Sequence, residues 1–417
     1  MSLPTRQRVA AVDSNLVNFV SDIADEMLVA CPPLMNPRLG FAGGTAGQAI
    51  FLAELAQVVG GDNVYGRMAE RCLDRLVGDL PHEIMAPGFY EGLAGIAWAM
   101  RSVAVSRGRI ELLGDECFSE IYEYYGAFLD QHDREYEFDL VSGLAGIGLW
   151  TVTIDNRDER ERLTALTLNR LQDASESDAA GVRWGTPRTR PRRYPTPAPL
   201  QVSEYNLGLA HGIAGVIGFL AECLNSDACA SQAETCRGML SSGVAWLLRQ
   251  QLEEGAESSF PDIAGSTQSS RMAWCYGDPG IAAVLIKAAD ALQSPSILDS
   301  ALRVVEKTAS RQLRDSHVRD TGVCHGAAGL ALIYSELYRR LPGCHSLIGQ
   351  ARYWRAALLE MLKAGTGIKG CYSWKAEGNR NVPDGGLLGG AAGVGLSLLD
   401  VDSDVTQWRY PLLIRMR

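Results

Sequence analysis

Residues 274–280 read WCYGDPG, and residues 322–329 read GVCHGAAG. Each stretch contains a Gly-x-x-Gly frame that opens an apolar segment, and in each a cysteine lies two residues before the first glycine of the frame. The frame recurs along the chain, with its first glycine at Gly44, Gly92, Gly143, Gly212, Gly277, Gly326 and Gly390. The steps between these glycines are 48, 51, 69, 65, 49 and 64 residues. A repeat of about fifty residues accommodates a helix, a connection and a second helix.

A segment with helical spacing and mixed polarity precedes each frame. In the first, Leu16, Phe19, Val20, Ile23 and Met27 follow the i, i+3, i+4, i+7 spacing of one apolar face. The seven helices predicted in this way are 14–30, 64–77, 117–129, 159–171, 232–250, 296–313 and 347–363. After each frame comes a segment that is apolar on nearly every side. These seven segments are 46–55, 93–104, 144–154, 213–224, 281–292, 328–338 and 394–399.

Helices that are apolar on every side must be enclosed by other helices. The sequence therefore predicts an all-α protein, an α/α toroid in which seven inner helices are wrapped by seven outer ones, without any sheet. We expect glycine in the turns between them because it permits a positive φ and a close approach of backbones near the axis. Chance is a poor explanation for seven copies, even among 44 glycines. We predict one domain over residues 1–417, with a Pro/Arg-rich insertion at about 175–203.

The composition fits a large globular protein. Of 417 residues, 47% are hydrophobic and 21% are charged. The formal net charge is −10 and there is no basic tract, which argues against nucleic acid as the main partner. No apolar run of about eighteen residues predicts a transmembrane helix, and the N-terminus lacks the apolar core of a secretory signal. We therefore expect a cytoplasmic protein whose ten cysteines are mostly reduced.

The predicted insertion interleaves arginines with prolines, and proline at this density excludes the interior of a helix. Its arginines are Arg183, Arg188, Arg190, Arg192 and Arg193. They form either a solvated surface loop or a lip that holds an acidic peptide at the mouth of the toroid. A second polar segment, 253–270, leads into residues 274–280 and is predicted to be irregular.

Equivalent positions of a toroid lie at the same end of the ring, so the residues just before each first glycine can be compared between units. The residues two positions before the first glycine are Ala42, Tyr90, Val141, Ala210, Cys275, Cys324 and Leu388. The residues one position before the first glycine are Gly43, Glu91, Ser142, His211, Tyr276, His325 and Gly389. Units four, five and six are neighbours in the ring, and they supply His211, Cys275, Cys324 and His325.

Two thiolates and an imidazole form a borderline-soft donor set suited to Zn²⁺, and three protein ligands leave a fourth position open. For Cys275 or Cys324 considered alone, a buried structural thiol is the simpler interpretation. Because the two cysteines occupy equivalent positions of neighbouring units and His325 follows one of them, the pattern favours a metal site. His211 is either a fourth ligand, which would close the site, or an acid/base group next to an open one. Asp139, four residues before Gly143, either joins this site or simply caps the segment that follows.

Four segments resemble the motifs of the lanthionine synthetase C-like family, the lanthipeptide cyclases. They are 271–280 (RMAWCYGDPG), 324–326 (CHG), 206–212 (NLGLAHG) and 139–146 (DLVSGLAG). The resemblance extends through all seven frames and implies the same toroidal fold. The last unit departs from the family pattern, since residues 384–390 read DGGLLGG where the family has a tighter Asp-Gly pair.

The resemblance also implies a site with one zinc ion per chain and a water molecule at the fourth coordination position. The implied metal ligands are Cys275, Cys324 and His325. The implied catalytic residues are His211, Asp139, Arg271 and Tyr276. Of these four, the first two serve in proton transfer and the other two support the site.

The resemblance implies a stand-alone cyclase that adds substrate cysteine thiolates to dehydroalanine or dehydrobutyrine in the same peptide, closing (methyl)lanthionine rings. Its expected partners are a dehydrated precursor peptide, made of a leader and a Ser/Thr/Cys-rich core, together with a dehydratase and an exporter. Such a complex would place the chain at the periphery of the membrane.

Two alternatives share the zinc site. One is a relative that adds glutathione to dehydroamino acids in proteins, and the other is a non-catalytic scaffold of a peptide-modifying complex, with a structural zinc ion. A toroidal prenyltransferase or glycosidase lacks support, because the registered positions hold neither an Asp-rich motif nor paired carboxylates.

Overall fold

The computed structural model describes residues 13–80, 85–113, 115–131, 136–186, 204–375, 378–399 and 407–416. Its helices pair into seven units, each with an outer helix followed by an inner helix. Units one to three are Ser14–Ala30 (α1) with Thr45–Val59 (α2), Val64–Asp79 (α3) with Leu93–Arg107 (α4), and Asp115–Leu129 (α5) with Leu144–Thr151 (α6). Units four and five are Arg157–Asp173 (α7) with Ile213–Leu224 (α8), and Ala233–Leu248 (α9) with Asp278–Leu292 (α10). Unit six joins Pro295–Ala309 (α11) and the short Leu313–Ser316 (α12) to Ala327–Arg340 (α13), and unit seven is His345–Ala364 (α14) with Ala391–Leu399 (α15).

The inner helices form a closed ring. Each packs against the inner helix of the next unit, and α15 of unit seven packs against α2 of unit one. The inner helices are buried on all sides, as in α6, where every residue from Leu144 to Thr151 is buried. An outer helix such as α3 buries one face, which contains Ala69, Leu73 and Leu76. The predicted α/α toroid is confirmed.

The prediction of a fold without any sheet is wrong, and so is the predicted end of one outer helix. The described connections contain two antiparallel hairpins, Glu176–Asp178 (β1) with Gly181–Arg183 (β2), and Ser373–Lys375 (β3) with Arg380–Val382 (β4). The helix predicted over 296–313 ends at Ala309. A new helix, α12, starts at Leu313 because Gln312 and Asp315 form a capping box.

The frame glycines are required by a close approach of the backbone. A Cβ atom on the second glycine of any frame would lie within 2.5 Å of the carbonyl oxygen six residues earlier. A Cβ atom on the first glycine would lie within 2.6 Å of the carbonyl oxygen six residues before it. The expectation of positive φ is wrong for six of the seven first glycines, since only Gly277 has one, at 101°. At these six positions a side chain is excluded by the close approach of the carbonyl six residues earlier, and not by a positive φ of the glycine.

Backbone hydrogen bonds join the units into a second closed ring. At the position two residues before each frame, the N–H of one unit donates to the carbonyl of the next. The bonds run from Ala42 to Tyr90 (2.7 Å), Tyr90 to Val141 (3.1 Å), Val141 to Ala210 (3.3 Å), Ala210 to Cys275 (3.1 Å), Cys275 to Cys324 (3.1 Å), Cys324 to Leu388 (2.9 Å) and Leu388 to Ala42 (3.0 Å). We call this set the register ring, and it holds the frame loops together at one end of the toroid.

None of the described helices is by itself long and apolar enough to cross a membrane, although Ile213–Leu224 and Ala228–Leu248, which meet at 117°, reach that length and hydropathy together. The single domain over 1–417 with an insertion at about 175–203 stays a prediction, since residues 187–203 lie outside the described part of the chain.

Candidate metal centre and active site

The register ring brings two cysteines and a histidine together. Cys275 lies in the loop before α10, and Cys324 and His325 lie in the loop before α13. The N–H groups of Trp274 and Cys275 both donate to the carbonyl of Cys324, each at 3.1 Å, so the two loops are locked side by side. One ligand atom from each of Cys275, Cys324 and His325 lies within 4.8 Å of the other two.

The donor set fits zinc. Two thiols and one imidazole are the ligand types that Zn²⁺ prefers, and a tetrahedral ion held by three protein groups keeps one position free. Cys275 is 6% exposed, while Cys324 and His325 are partly buried at the open end of the ring. In the described part of the chain, these three side chains form a group whose ligand atoms lie close enough together to hold one metal ion.

The site charges support thiolate formation. The hydrogen bond with Cys324 lowers the pKa of Cys275, and its contact with His325 acts in the same direction. The same interaction with Cys275 raises the pKa of Cys324, because a second negative charge beside the Cys275 thiolate is unfavourable. Burial lowers the pKa of His325, but the hydrogen bonds to Asp320 and Cys275 outweigh burial and raise that pKa to about 10.

Asp320 orients the imidazole, and the sequence interpretation missed it. Its Oδ2 lies 2.9 Å from Nε2 of His325, which leaves Nδ1 as the ring nitrogen available to a metal. The same carboxylate accepts the N–H groups of Gly322 and Trp374, both at 3.1 Å, and its side chain is 1% exposed. A carboxylate behind a ligand histidine fixes its tautomer and direction. A comparison of the position six residues before each frame could have found Asp320, because it lies six residues before Gly326, as Arg271 does before Gly277.

His211 is paired with Asp139. Their Nδ1 and Oδ2 atoms are 2.8 Å apart, and the His211 side chain is 46% exposed at the mouth. The other oxygen of Asp139 accepts the N–H of Ser142 at 2.7 Å, so this residue both caps its loop and contacts the histidine. The two interpretations of Asp139 are therefore compatible. His211 is not part of the three-residue metal group.

Tyr276 is held from the neighbouring unit. Its hydroxyl accepts a hydrogen bond of 2.7 Å from the side-chain amide of Asn206, whose own oxygen accepts the N–H of Gly208 at 2.9 Å. Burial raises the pKa of Tyr276 to about 12, and the nearby Cys275 acts in the same direction. The phenol therefore keeps its proton near neutral pH and can donate it in a hydrogen bond. Asn206 is a second supporting residue whose role the sequence interpretation did not assign.

Arg271 contributes charge near the thiols. It is exposed, and its position six residues before Gly277 places it in the frame loop that carries Cys275. Burial raises the pKa of Asp262, and the positive charge of Arg271 opposes that shift. The guanidinium therefore adds positive potential where thiolates are to be stabilised.

The predicted basic lip is described only in part. Arg188, Arg190, Arg192 and Arg193 lie outside the described residues. Arg183 belongs to β2, where it pairs with Glu176 and Asp178 and stacks at 5.0 Å on the ring of Tyr205. The charge of Arg183 is paired with these two carboxylates, and a role of the arginines in holding an acidic peptide stays a prediction.

A family model described as "Lanthionine synthetase C-like protein" matches residues 39–413. This chain belongs to that family. It is 24% identical over 324 residues to the nisin biosynthesis protein NisC of Lactococcus lactis subsp. lactis, covering 73% of this chain and 74% of NisC. It is 22% identical over 244 residues to the glutathione S-transferase LANCL1 of Danio rerio, covering 58% of this chain and 56% of that one.

The fold of this family member has a solved counterpart. The structure of nisin cyclase superposes with a TM-score of 0.71 at 21% identity, covering 96% of this chain and 98% of that one. At this identity the likeness concerns the fold, and it agrees with the closed ring of seven units. The fold alone does not establish the activity of this lanthionine synthetase C-like chain, which depends on the side chains at its own site.

Proposed function

We propose that this chain is a zinc-dependent lanthipeptide cyclase, which joins the thiol of a substrate cysteine to a dehydroalanine or dehydrobutyrine in the same precursor peptide. The observation that carries the proposal is the gathering of Cys275, Cys324 and His325 within 4.8 Å, at the end of the ring where Asp139 pairs with His211. Family membership and the likeness to a nisin biosynthesis protein support a reaction on a peptide.

Cys275, Cys324 and His325 are the residues that would hold the ion, with Asp320 directing the imidazole. A zinc ion held by these residues would supply a positive charge that lowers the pKa of a substrate thiol, so that the thiol would release its proton to solvent and react as a thiolate at neutral pH. The partial burial of the site strengthens this effect, since fewer water molecules screen the charges.

The substrate thiolate forms a carbon–sulfur bond at the β-carbon, and the electrons of the double bond move to the α-carbon and its carbonyl group. The α-carbon must then receive a proton. In this proposal His211 gives that proton from Nε2, because Nδ1 is engaged with Asp139. The carboxylate of Asp139 stabilises the protonated imidazole before the transfer and fixes its direction.

Tyr276 and Arg271 act on charge that develops in the substrate. The Tyr276 hydroxyl accepts its bond from Asn206, so its own proton is free to point into the mouth. There it can donate to the substrate carbonyl oxygen, on which negative charge accumulates as the carbon–sulfur bond forms. Arg271, exposed in the same loop, adds positive potential to this region.

A peptide is the expected substrate because both reacting groups belong to one chain. Arg188, Arg190, Arg192 and Arg193 lie between the third and fourth frames in the sequence, and Asp139 and His211 lie just before those two frames. We include them in the proposal as a basic lip for an acidic leader, an attraction that weakens with salt. A dehydratase and an exporter complete the set of proposed partners.

The test uses the purified chain, reconstituted with one equivalent of zinc, and a synthetic peptide with one dehydroalanine and one cysteine. Ring closure leaves the mass unchanged and removes the free thiol, so alkylation followed by mass spectrometry measures it against the reaction without protein. A second peptide lacks the cysteine and is incubated with glutathione.

Thiol loss in the first peptide at a rate well above the uncatalysed one supports the cyclase. Adduct formation only with glutathione would replace it with the glutathione-adding alternative, which the partial likeness to LANCL1 favours. Zinc binding without acceleration of either reaction would indicate a scaffold.

A further inference from the structure

Residues 408–416, which we call the axial segment, lie in the core of the molecule and belong to none of the seven units. Trp408 is 3% exposed, Leu412 and Leu413 are 0% exposed and Ile414 is 1% exposed. The segment is not helical and none of the sequence patterns predicts its position. Its burial requires that the surrounding units leave a channel that it fills.

The contacts of the axial segment identify that channel as the centre of the ring. In unit two, the Tyr90 hydroxyl donates to the carbonyl of Pro411 at 2.7 Å. In unit five, Nε1 of Trp274 donates to the carbonyl of Leu412 at 2.8 Å. In unit four, a Cβ atom on Gly218 would lie 2.6 Å from Cδ1 of Leu413.

Units three and six also touch the segment. The hydroxyl of Tyr410 donates to the carbonyl of Leu149 at 3.3 Å. The buried carboxylate of Glu336 pairs with Arg409 at 2.8 Å and accepts the N–H of Met416 at 3.2 Å. A short segment can reach inner helices or frame loops of units two to six only from the axis of the toroid.

Two of these bonds end next to the metal group. Trp274 precedes Cys275, and the N–H groups of both residues donate to the carbonyl of Cys324. Tyr90 occupies the register position of unit two, and its ring lies 5.6 Å from that of Trp274. The carbonyls of Pro411 and Leu412 thus fix two aromatic side chains that support the loop carrying the Cys275 thiol.

We propose that the axial segment is a positioning element for the metal centre: its carbonyls at Pro411 and Leu412 hold Tyr90 and Trp274, and through Trp274 they set the place of the Cys275 thiol. The inference rests on the proposed zinc site. It concerns residues that do not touch the metal or the substrate, and their effect is on ligand geometry. The buried Glu336–Arg409 pair anchors the other side of the segment to unit six, where Glu336 also pairs with Arg339 of its own helix.

The test compares three substitutions that each remove one buried hydrogen-bond donor while keeping a ring. Trp274→Phe and Tyr90→Phe remove the donors to the axial segment. Trp184→Phe is the matched control, because Trp184 is also 0% exposed and its Nε1 donates to the carbonyl of Leu171 at 2.7 Å. Trp184 differs in its place, since it packs against the outer helices α7 and α9. The readouts are zinc affinity, from competition with a chromophoric chelator, and the thiolate-to-cobalt absorption band of the Co²⁺-loaded chain.

Trp274→Phe is expected to weaken zinc binding about tenfold and to shift the cobalt band, as substitutions behind metal ligands do. Tyr90→Phe changes both in the same direction by a smaller amount and keeps the test open if Trp274→Phe does not fold. Trp184→Phe lowers the unfolding temperature and leaves both metal readouts unchanged. Equal metal readouts for all three variants and the wild type overturn the positioning role while leaving the zinc site in place. A wild type that binds neither ion overturns both.

Discussion

Units five and six of the ring differ from units one and two mainly in their side chains, although Gly277 of unit five has a positive φ where the first glycines of units one and two do not. The register bond from Cys275 to Cys324 measures 3.1 Å, and the equivalent bond from Ala42 to Tyr90 measures 2.7 Å. The frame glycines are equally crowded on both sides, as the close approaches at Gly95 and Gly329 show.

What separates the two regions is the residue type at positions that the backbone holds alike. Units five and six place Cys275, Cys324 and His325 where units one and two place Ala42, Tyr90 and Glu91. The repeated loop is therefore a scaffold requirement, and chemistry arises only where its registered side chains are ligands or acids. Substitutions at matched positions of the two regions should have separable effects on metal binding and on stability.

The largest expected effect is that of Cys324→Ala. Removing one of three ligands should weaken zinc binding by at least roughly two to three orders of magnitude and stop ring closure, because the ion needs all three groups. The helical signal in circular dichroism should persist, since the register ring uses backbone atoms only. Val141→Ala, at the same register position in unit three, is the control and should retain full zinc content. Loss of zinc in both variants would show that the site depends on the ring as a whole.

His211→Ala should slow ring closure by roughly two to four orders of magnitude, the usual contribution of a general acid. Zinc content, measured by atomic emission, should stay at one per chain because His211 pairs with Asp139 outside the metal group. Ser142→Ala is the control from the neighbouring unit, since Ser142 contacts Asp139 through its backbone N–H. Zinc loss in His211→Ala would make this residue a fourth ligand and favour the scaffold alternative.

Gly95→Ala and Gly329→Ala should destabilise the protein alike, by about 3 kcal/mol, because the new methyl group collides with a backbone carbonyl in either region. Denaturant midpoints measure the effect. Gly78→Ala is the control, since a Cβ on this exposed helical glycine meets nothing within 4 Å and should raise stability by about 0.5–1 kcal/mol. A large difference between Gly95→Ala and Gly329→Ala would mean that the two regions do not share one scaffold.

The smallest expected effect is that of Asp320→Asn. The amide can still accept from His325 but lacks the charge, so zinc affinity should fall about tenfold, with the fold unchanged. Asp384→Asn is the matched control, because Asp384 holds the same register in unit seven and accepts the N–H of Gly386 at 2.7 Å. Its zinc affinity should equal that of the wild type. Equal losses in both variants would indicate a general electrostatic effect of acidic loops.

The frame register predicted that Cys275, Cys324 and His325 lie together, and they do, because each unit repeats the same loop. Cys275 and Cys324 are 49 residues apart, yet the repeat predicts that they are neighbours, and the register ring makes them so. The same argument did not find Asp320 or Asn206. Both lie six residues before a frame, a position that was not compared, and nothing in their local sequence distinguishes them from loop residues.

By itself, the sequence determined the number of units, the inner and outer helices and the residues that stand at the mouth. These follow from apolar periodicity and from a glycine spacing that repeats, which are properties of short segments. Only the tertiary structure decided that Asp139 pairs with His211, that Asp320 directs His325 and that the axial segment fills the ring. Such contacts join residues from different units, and their partners are chosen by how the closed ring brings distant loops together. No local pattern encodes that choice, because each pair is stabilised only after the ring has closed.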